Sequence, residues 1–123
     1  MTQKLTRLLV ERTGEPLAIE LKFAKSMLAR MKGLLGRDRL GPGEALWIEP
    51  CNSIHTMFMR FAIDAVFLDR DGVVLKRIHG LKPWRASTIV PRARTVIELE
   101  VGALARAGLR DGDKLIVQEP PES

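Results

Sequence analysis

The stretch Ile63-Asp64-Ala65-Val66-Phe67-Leu68-Asp69-Arg70-Asp71-Gly72-Val73-Val74 is an apolar run that stops at a turn sequence and starts again. Read locally it is a strand near 63–68, a tight turn and a second strand near 73–79, because Asp and Gly supply the hydrogen bonding and backbone freedom that a short connection needs. Working outward, Leu17, Ile19, Leu21 and Phe23 alternate with polar residues, which predicts a hairpin of 5–10 with 17–23 across Thr13-Gly14-Glu15-Pro16. Ala45-Leu46-Trp47-Ile48 reads as a short buried strand that stops at Pro50, and further strands are expected near 54–59, 95–100 and 115–117. From Ala24 the period changes. Ala24, Met27, Leu28, Met31, Leu34 and Leu35 fall at helical spacing, with Gly36 as a cap, and Ala103-Leu104-Ala105-Arg106-Ala107 forms a second short helix. Many short strands with two brief helices predict an α+β fold on a mostly antiparallel sheet or small β-barrel.

The 123 residues suit one domain, expected over 1–118, with a disordered tail at 119–123. A composition of 46% hydrophobic and 28% charged residues is globular rather than disordered. No apolar run approaches the roughly 20 residues that span a bilayer, and Glu11 and Arg12 cut short any apolar leader core at the start. With a single Cys and hence no disulfide framework, the chain is expected in the cytoplasm. The formal net charge of +5 is unevenly spread: between Gly72 and Ile97 there is no Asp or Glu, whereas Lys76, Arg77, Lys82, Arg85, Arg92 and Arg94 are basic. This segment is either an anion-facing surface or a set of solvated edges and loops, and any nucleic-acid binding through 76–94 is expected to be weak and salt-sensitive.

Candidate chemistry concentrates in Pro50–Asp69, which holds the only Cys and three of the four Phe. Cys51 and His55 do not make a convincing thiolate dyad, since four residues of extended chain span about 13 Å. Cys51, His55, Met57 and Met59 are soft donors, and on a strand His55, Met57 and Met59 would share a face. No second His or Cys completes a tetrahedral set, so neither metal nor cofactor is expected. Asp64 is anomalous among Ile, Ala, Val and Phe, because an unpartnered buried carboxylate is costly. Pairing Asp69 with Gly72 would set Asp64 opposite Arg77, or Lys76 or Ile78 with a bulge, as a structural ion pair. Alternatively Asp64 lines a ligand pocket with His55 and Met59, and Trp47 as a wall. Trp84, between Lys82-Pro83 and Arg85, either stacks on a base or sugar or is covered by an Arg.

Four ordered blocks, namely 50–69 together with Arg30-Met31-Lys32-Gly33-Leu34-Leu35-Gly36-Arg37, Val96-Ile97-Glu98-Leu99-Glu100-Val101-Gly102 and Gly108-Leu109-Arg110-Asp111-Gly112-Asp113, resemble the bacterial and archaeal domain-of-unknown-function family 192. The resemblance implies a compact β-rich domain and carries no reaction with it. The expectation is therefore a small binding or accessory module, acting on an unidentified small molecule or protein. The alternatives are a hydrolase-like enzyme using His55 and Asp64 as acid and base, and weak nucleic-acid or anion binding through the basic segment.

Overall fold

A computed structural model describes residues 5–26, 29, 30, 34 and 36–121. Among these residues the strands are β1 (Arg7–Val10), β2 (Pro16–Ala18), β3 (Glu20–Ala24), β4 (Glu44–Ile48), β5 (Ile63–Leu68), β6 (Val74–Leu81), β7 (Thr95–Glu100) and β8 (Leu115–Gln118), and a short helix, α1 (Ala103–Ala107), precedes β8. They form two open sheets rather than a closed barrel: a three-stranded sheet in the order β2-β1-β8 and a five-stranded sheet in the order β3-β4-β7-β5-β6. All pairings are antiparallel except β3 with β4.

All six residues of β5 are buried because the large sheet is covered on both faces, which is why the strand reads as a continuous apolar run. Val66 and Leu68 face a core shared with the small sheet and α1, including Leu8, Leu99 and Leu104. Ile63, Ala65 and Phe67 face a second core with Leu34, Leu40, Ile54 and Met59. The turn after β5 is built as its sequence demands: Asp69 Oδ1 accepts hydrogen bonds from the Asp71 and Val73 amides at 2.8 and 3.0 Å, and Gly72 adopts φ +83°.

Three expectations are corrected. The single strand 17–23 divides at Ile19, where the chain leaves one sheet for the other; the Ile19 and Glu20 amides both donate to Gly43 O. A Cβ on Gly43 would sit 2.6 Å from Ile19 Cγ1, so the crossing admits only glycine there. The strand near 54–59 does not form. His55 makes one isolated bridge to Ala86, residues 57 and 58 turn, and burial falls on Ile54, Thr56 and Met59, which is not a strand period. Consequently His55, Met57 and Met59 do not share a strand face. The helix foreseen from Ala24 begins later, since Ala24 ends β3; Ala29, Arg30 and Leu34 are helical, while Met27, Leu28, Met31 and Leu35 lie outside the described residues. In the tail, Glu119 is held by a hydrogen bond from Thr6 Oγ1 at 3.2 Å, and residues 122 and 123 lie outside the described residues.

Candidate functional site

Asp64 is fully buried on the face of β5 that looks toward α1. It does not pair with Arg77. The turn sets Asp69 against Val73 rather than Gly72, and a first bulge, at Phe67 and Leu68, adds a residue on β6, so Arg77 stands opposite Val66, and its guanidinium meets Asp111 Oδ1 at 2.7 Å and Leu109 O at 2.6 Å. The second bulge brings Gly80, at φ +65°, to Asp64, and its amide donates to Oδ1 at 2.8 Å. Oδ2 accepts from the amides of Gly102 and Leu104 at 3.1 and 3.2 Å. Gly102 is the N-cap of α1 and has no side chain to cap it, so Asp64 supplies that cap from another strand. The carboxylate is thus committed to three backbone donors in two separate segments.

The large sheet buries a second acid on its other face. Glu98 lies on β7 in the run Thr95–Glu100 and is as fully buried as Asp64. Arg30 Nε stands 2.5 Å from Glu98 Oε1, a fully buried ion pair. Arg30 Nη2 also donates to Met59 Sδ at 3.4 Å. Burial pushes the Glu98 carboxyl up to about 7 despite the nearby guanidinium, and burial likewise raises the half-buried Cys51 thiol. Glu98 was overlooked in the sequence, although its setting between Ile97 and Leu99 is the same signal that singled out Asp64.

The segment between Pro50 and Phe61 closes over this second core and is sewn to the loop 82–90. Thr56, fully buried, donates through Oγ1 to Lys82 O at 2.5 Å and accepts the Arg85 amide at 3.0 Å, while Thr56 O accepts the Trp84 amide at 3.0 Å. Ile54 N–H donates to Ser87 Oγ, and the Val90 amide donates to Asn52 O. Replacing Thr56 by valine keeps the shape and removes these side-chain bonds; the expected cost is about 1–3 kcal/mol. Urea melts check it, and an unchanged midpoint would mean that Thr56 does not join the two loops.

The joined loops display two aromatic rings. Phe58 and Trp84 are 63% and 54% exposed, and their centroids lie 4.8 Å apart with the planes at 60°. Both take positive φ, +67° and +63°, a region that non-glycine residues adopt only at a cost and that collects at functional sites. Trp84 packs on Phe58, and the Arg85 guanidinium donates a 3.5 Å hydrogen bond to Trp84 O.

The four residues expected to share a pocket are not brought together. Trp47, on β4, tilts against Phe23 at 6.0 Å and packs on the first core; Met59 belongs to the second. His55 Nδ1 accepts the Met57 amide at 3.3 Å, and the Cys51 thiol donates to Ser53 O at 3.0 Å, so neither addresses the other. A cavity of about 430 Å³ opens between the sheets beside Leu17, Gly43, Glu100 and Arg106, and a shallower one of about 210 Å³ lies over Pro50, Cys51, Asn52 and Ala93. None of the four lines either. Among the described residues no three His, Cys, Asp or Glu side chains are grouped as metal ligands would be.

The family model DUF192, described as "Uncharacterized ACR", matches residues 8–117 of this fold. The chain belongs to the DUF192 family. Relatives named UPF0127 proteins include one from Pyrococcus furiosus, 32% identical over 83% of this chain and 90% of its own length, and one from Pyrococcus horikoshii, 35% identical over 78% and 85%. Two crystal structures share the fold. A Sinorhizobium meliloti protein named as a candidate transcription regulator superposes with TM-score 0.73 at 21% identity, covering 91% of each chain. A Novosphingobium aromaticivorans protein of unknown function gives 0.74 at 20% identity over 90% of this chain and 82% of its own. The span matched by the DUF192 model includes the loop carrying Phe58 and the strand carrying Asp64, and the UPF0127 relatives bring no established activity to them.

Proposed function

We propose that this DUF192 chain is a small binding module rather than a catalyst, and that it meets its partner through Phe58 and Trp84. The observation that carries the reading is the pair itself: two exposed aromatics, each on a strained backbone, held edge to face by loops that Thr56 pins together. Exposure of large apolar rings and positive φ both work against stability, so a pair that combines them is better explained by what it contacts. The groups with most chemistry are engaged in the fold, Asp64 by amides, Glu98 beside Arg30 and Cys51 by Ser53. A cytoplasmic location goes with this reading, supported by the free Cys51 thiol.

The strain gives a direct test. Phe58→Gly and Trp84→Gly each relieve a left-handed conformation worth about 1–2 kcal/mol, offset by the greater chain entropy of glycine and the lost ring contact. The expected outcome is an unchanged or slightly raised melting temperature together with loss of binding. Anionic vesicles, a single-stranded oligonucleotide and an oligosaccharide are the probes; Phe58→Gly is read from Trp84 fluorescence in a Trp47→Phe background, where it is the only indole, and Trp84→Gly from the polarisation of fluorescently labelled probes. Silence toward all three, or a fold loss of more than about 2 kcal/mol on either substitution, would show the pair to be structural.

A further inference from the structure

We infer, resting on the preceding reading, that the partner met by Phe58 and Trp84 is the surface of an anionic lipid bilayer. The two rings sit on turns at 57–58 and 83–84, and neither lines the cavities between the sheets or over Cys51. They form a projecting tip, not a groove. With centroids 4.8 Å apart and planes at 60°, the rings meet edge to face, so no base or sugar fits between them. A tip of this kind suits the boundary of headgroups and acyl chains, where Phe is fully apolar and the Trp indole keeps a polar N–H at headgroup level.

The charges around the tip match that surface. Lys82 and Arg85 flank Trp84 on the same loop, both are exposed, and neither meets a carboxylate among the described residues. Arg60 follows Phe58 by two residues and is 67% exposed, with Asp38 3.6 Å away and itself open to solvent. No acidic residue occurs between Gly72 and Ile97 to oppose them. An apolar tip ringed by cations gains from partial insertion and from the negative potential of anionic lipid together, where either alone is weak. Single-stranded nucleic acid would use the same cations, but its bases stack in succession along a groove that tracks the backbone, and the two rings line neither cavity.

The test uses the whole chain with phosphatidylglycerol-rich vesicles, phosphatidylcholine vesicles, a single-stranded oligonucleotide and an oligosaccharide; vesicle binding of every variant is read by co-sedimentation, and Trp84 fluorescence in the Trp47→Phe background reads all but Trp84→Gly. The expected result is binding to the phosphatidylglycerol vesicles alone, with a blue shift and weakening as salt rises. Phe58→Gly or Trp84→Gly should weaken it about tenfold or more, and Lys82→Ala or Arg85→Ala about fivefold each, with melting temperatures retained. Equal binding to phosphatidylcholine, or vesicle binding that survives both glycine substitutions, would overturn the inference. A response to the oligonucleotide or an oligosaccharide in place of vesicles would overturn the bilayer and leave the aromatic pair as the contact surface. Silence toward every probe would remove both.

Discussion

Replacing Asp64 by alanine is expected to lower the unfolding free energy by about 3–5 kcal/mol, because it strands three amides, those of part-buried Gly80 and Gly102 and buried Leu104, that have this carboxylate as their acceptor. The loss is larger than for one hydrogen bond, since the donors come from the end of β6 and from the start of α1, and the carboxylate is the cap that α1 otherwise lacks. Asp64→Asn retains one acceptor oxygen but turns an NH2 group toward donors, so it recovers only part of the deficit. Arg77→Ala is expected to add independently, because Arg77 pairs with Asp111 and stands opposite Val66. Urea melts of Asp64→Ala, Arg77→Ala and the double variant decide. A wild-type midpoint for Asp64→Ala would sink the capping role, and strong coupling between the two sites would restore the discarded ion pair.

The second large effect lies on the opposite face of the same sheet. Arg30→Met leaves Glu98 buried without the guanidinium 2.5 Å away and should cost about 3–5 kcal/mol, whereas Arg30→Met with Glu98→Leu removes both charges and should recover most of it. Proton linkage sets the pH window. The Glu98 carboxyl titrates at about 7 in the folded chain against 4.5 in the reference state, so the folded state keeps a proton that the unfolded chain releases. Stability from this group is therefore fully present below about pH 4.5, and up to about 3 kcal/mol of it is lost as pH rises through 7. Glu98→Gln should flatten the dependence, and the Arg30→Met deficit should grow with pH as Glu98 ionises. Chemical melts between pH 5 and 8, set as roughly the range in which ordinary carboxylates are already ionised, measure it. A wild-type stability that rises over that interval, with Glu98→Gln parallel to it, would refute the assignment.

Much of the fold could be read locally because its determinants are local. The apolar run Ile63–Leu68, the Asp-Gly turn after it, the run Thr95–Glu100 and the short helix at Ala103 depend on neighbours a few residues away, and each stands where its sequence puts it. The strand 17–23 broke because the carbonyl of Gly43, not its own alternation, claims the amides at Ile19 and Glu20. The segment 54–59 was misread for the same kind of reason: Thr56 spends its hydrogen bonds on residues 82–85, so the chain turns where its apolar content suggests a strand.

The candidate site divides along the same line. By itself the sequence determined that a carboxylate at 64 had to be satisfied, since desolvating an unpartnered charge is costly whatever the fold. It could not name the acceptor's partners, because backbone amides at 80, 102 and 104 carry no residue signature and the turn together with a bulge shifted the register that pointed to Arg77. Tertiary structure alone decided that Arg30 meets Glu98 in the core, and that Phe58 and Trp84, 26 positions apart in the sequence, share one exposed tip. The physical reason is that burial and periodicity are written in short windows, whereas register, loop closure and left-handed backbone are fixed by contacts that exist only once distant segments have packed.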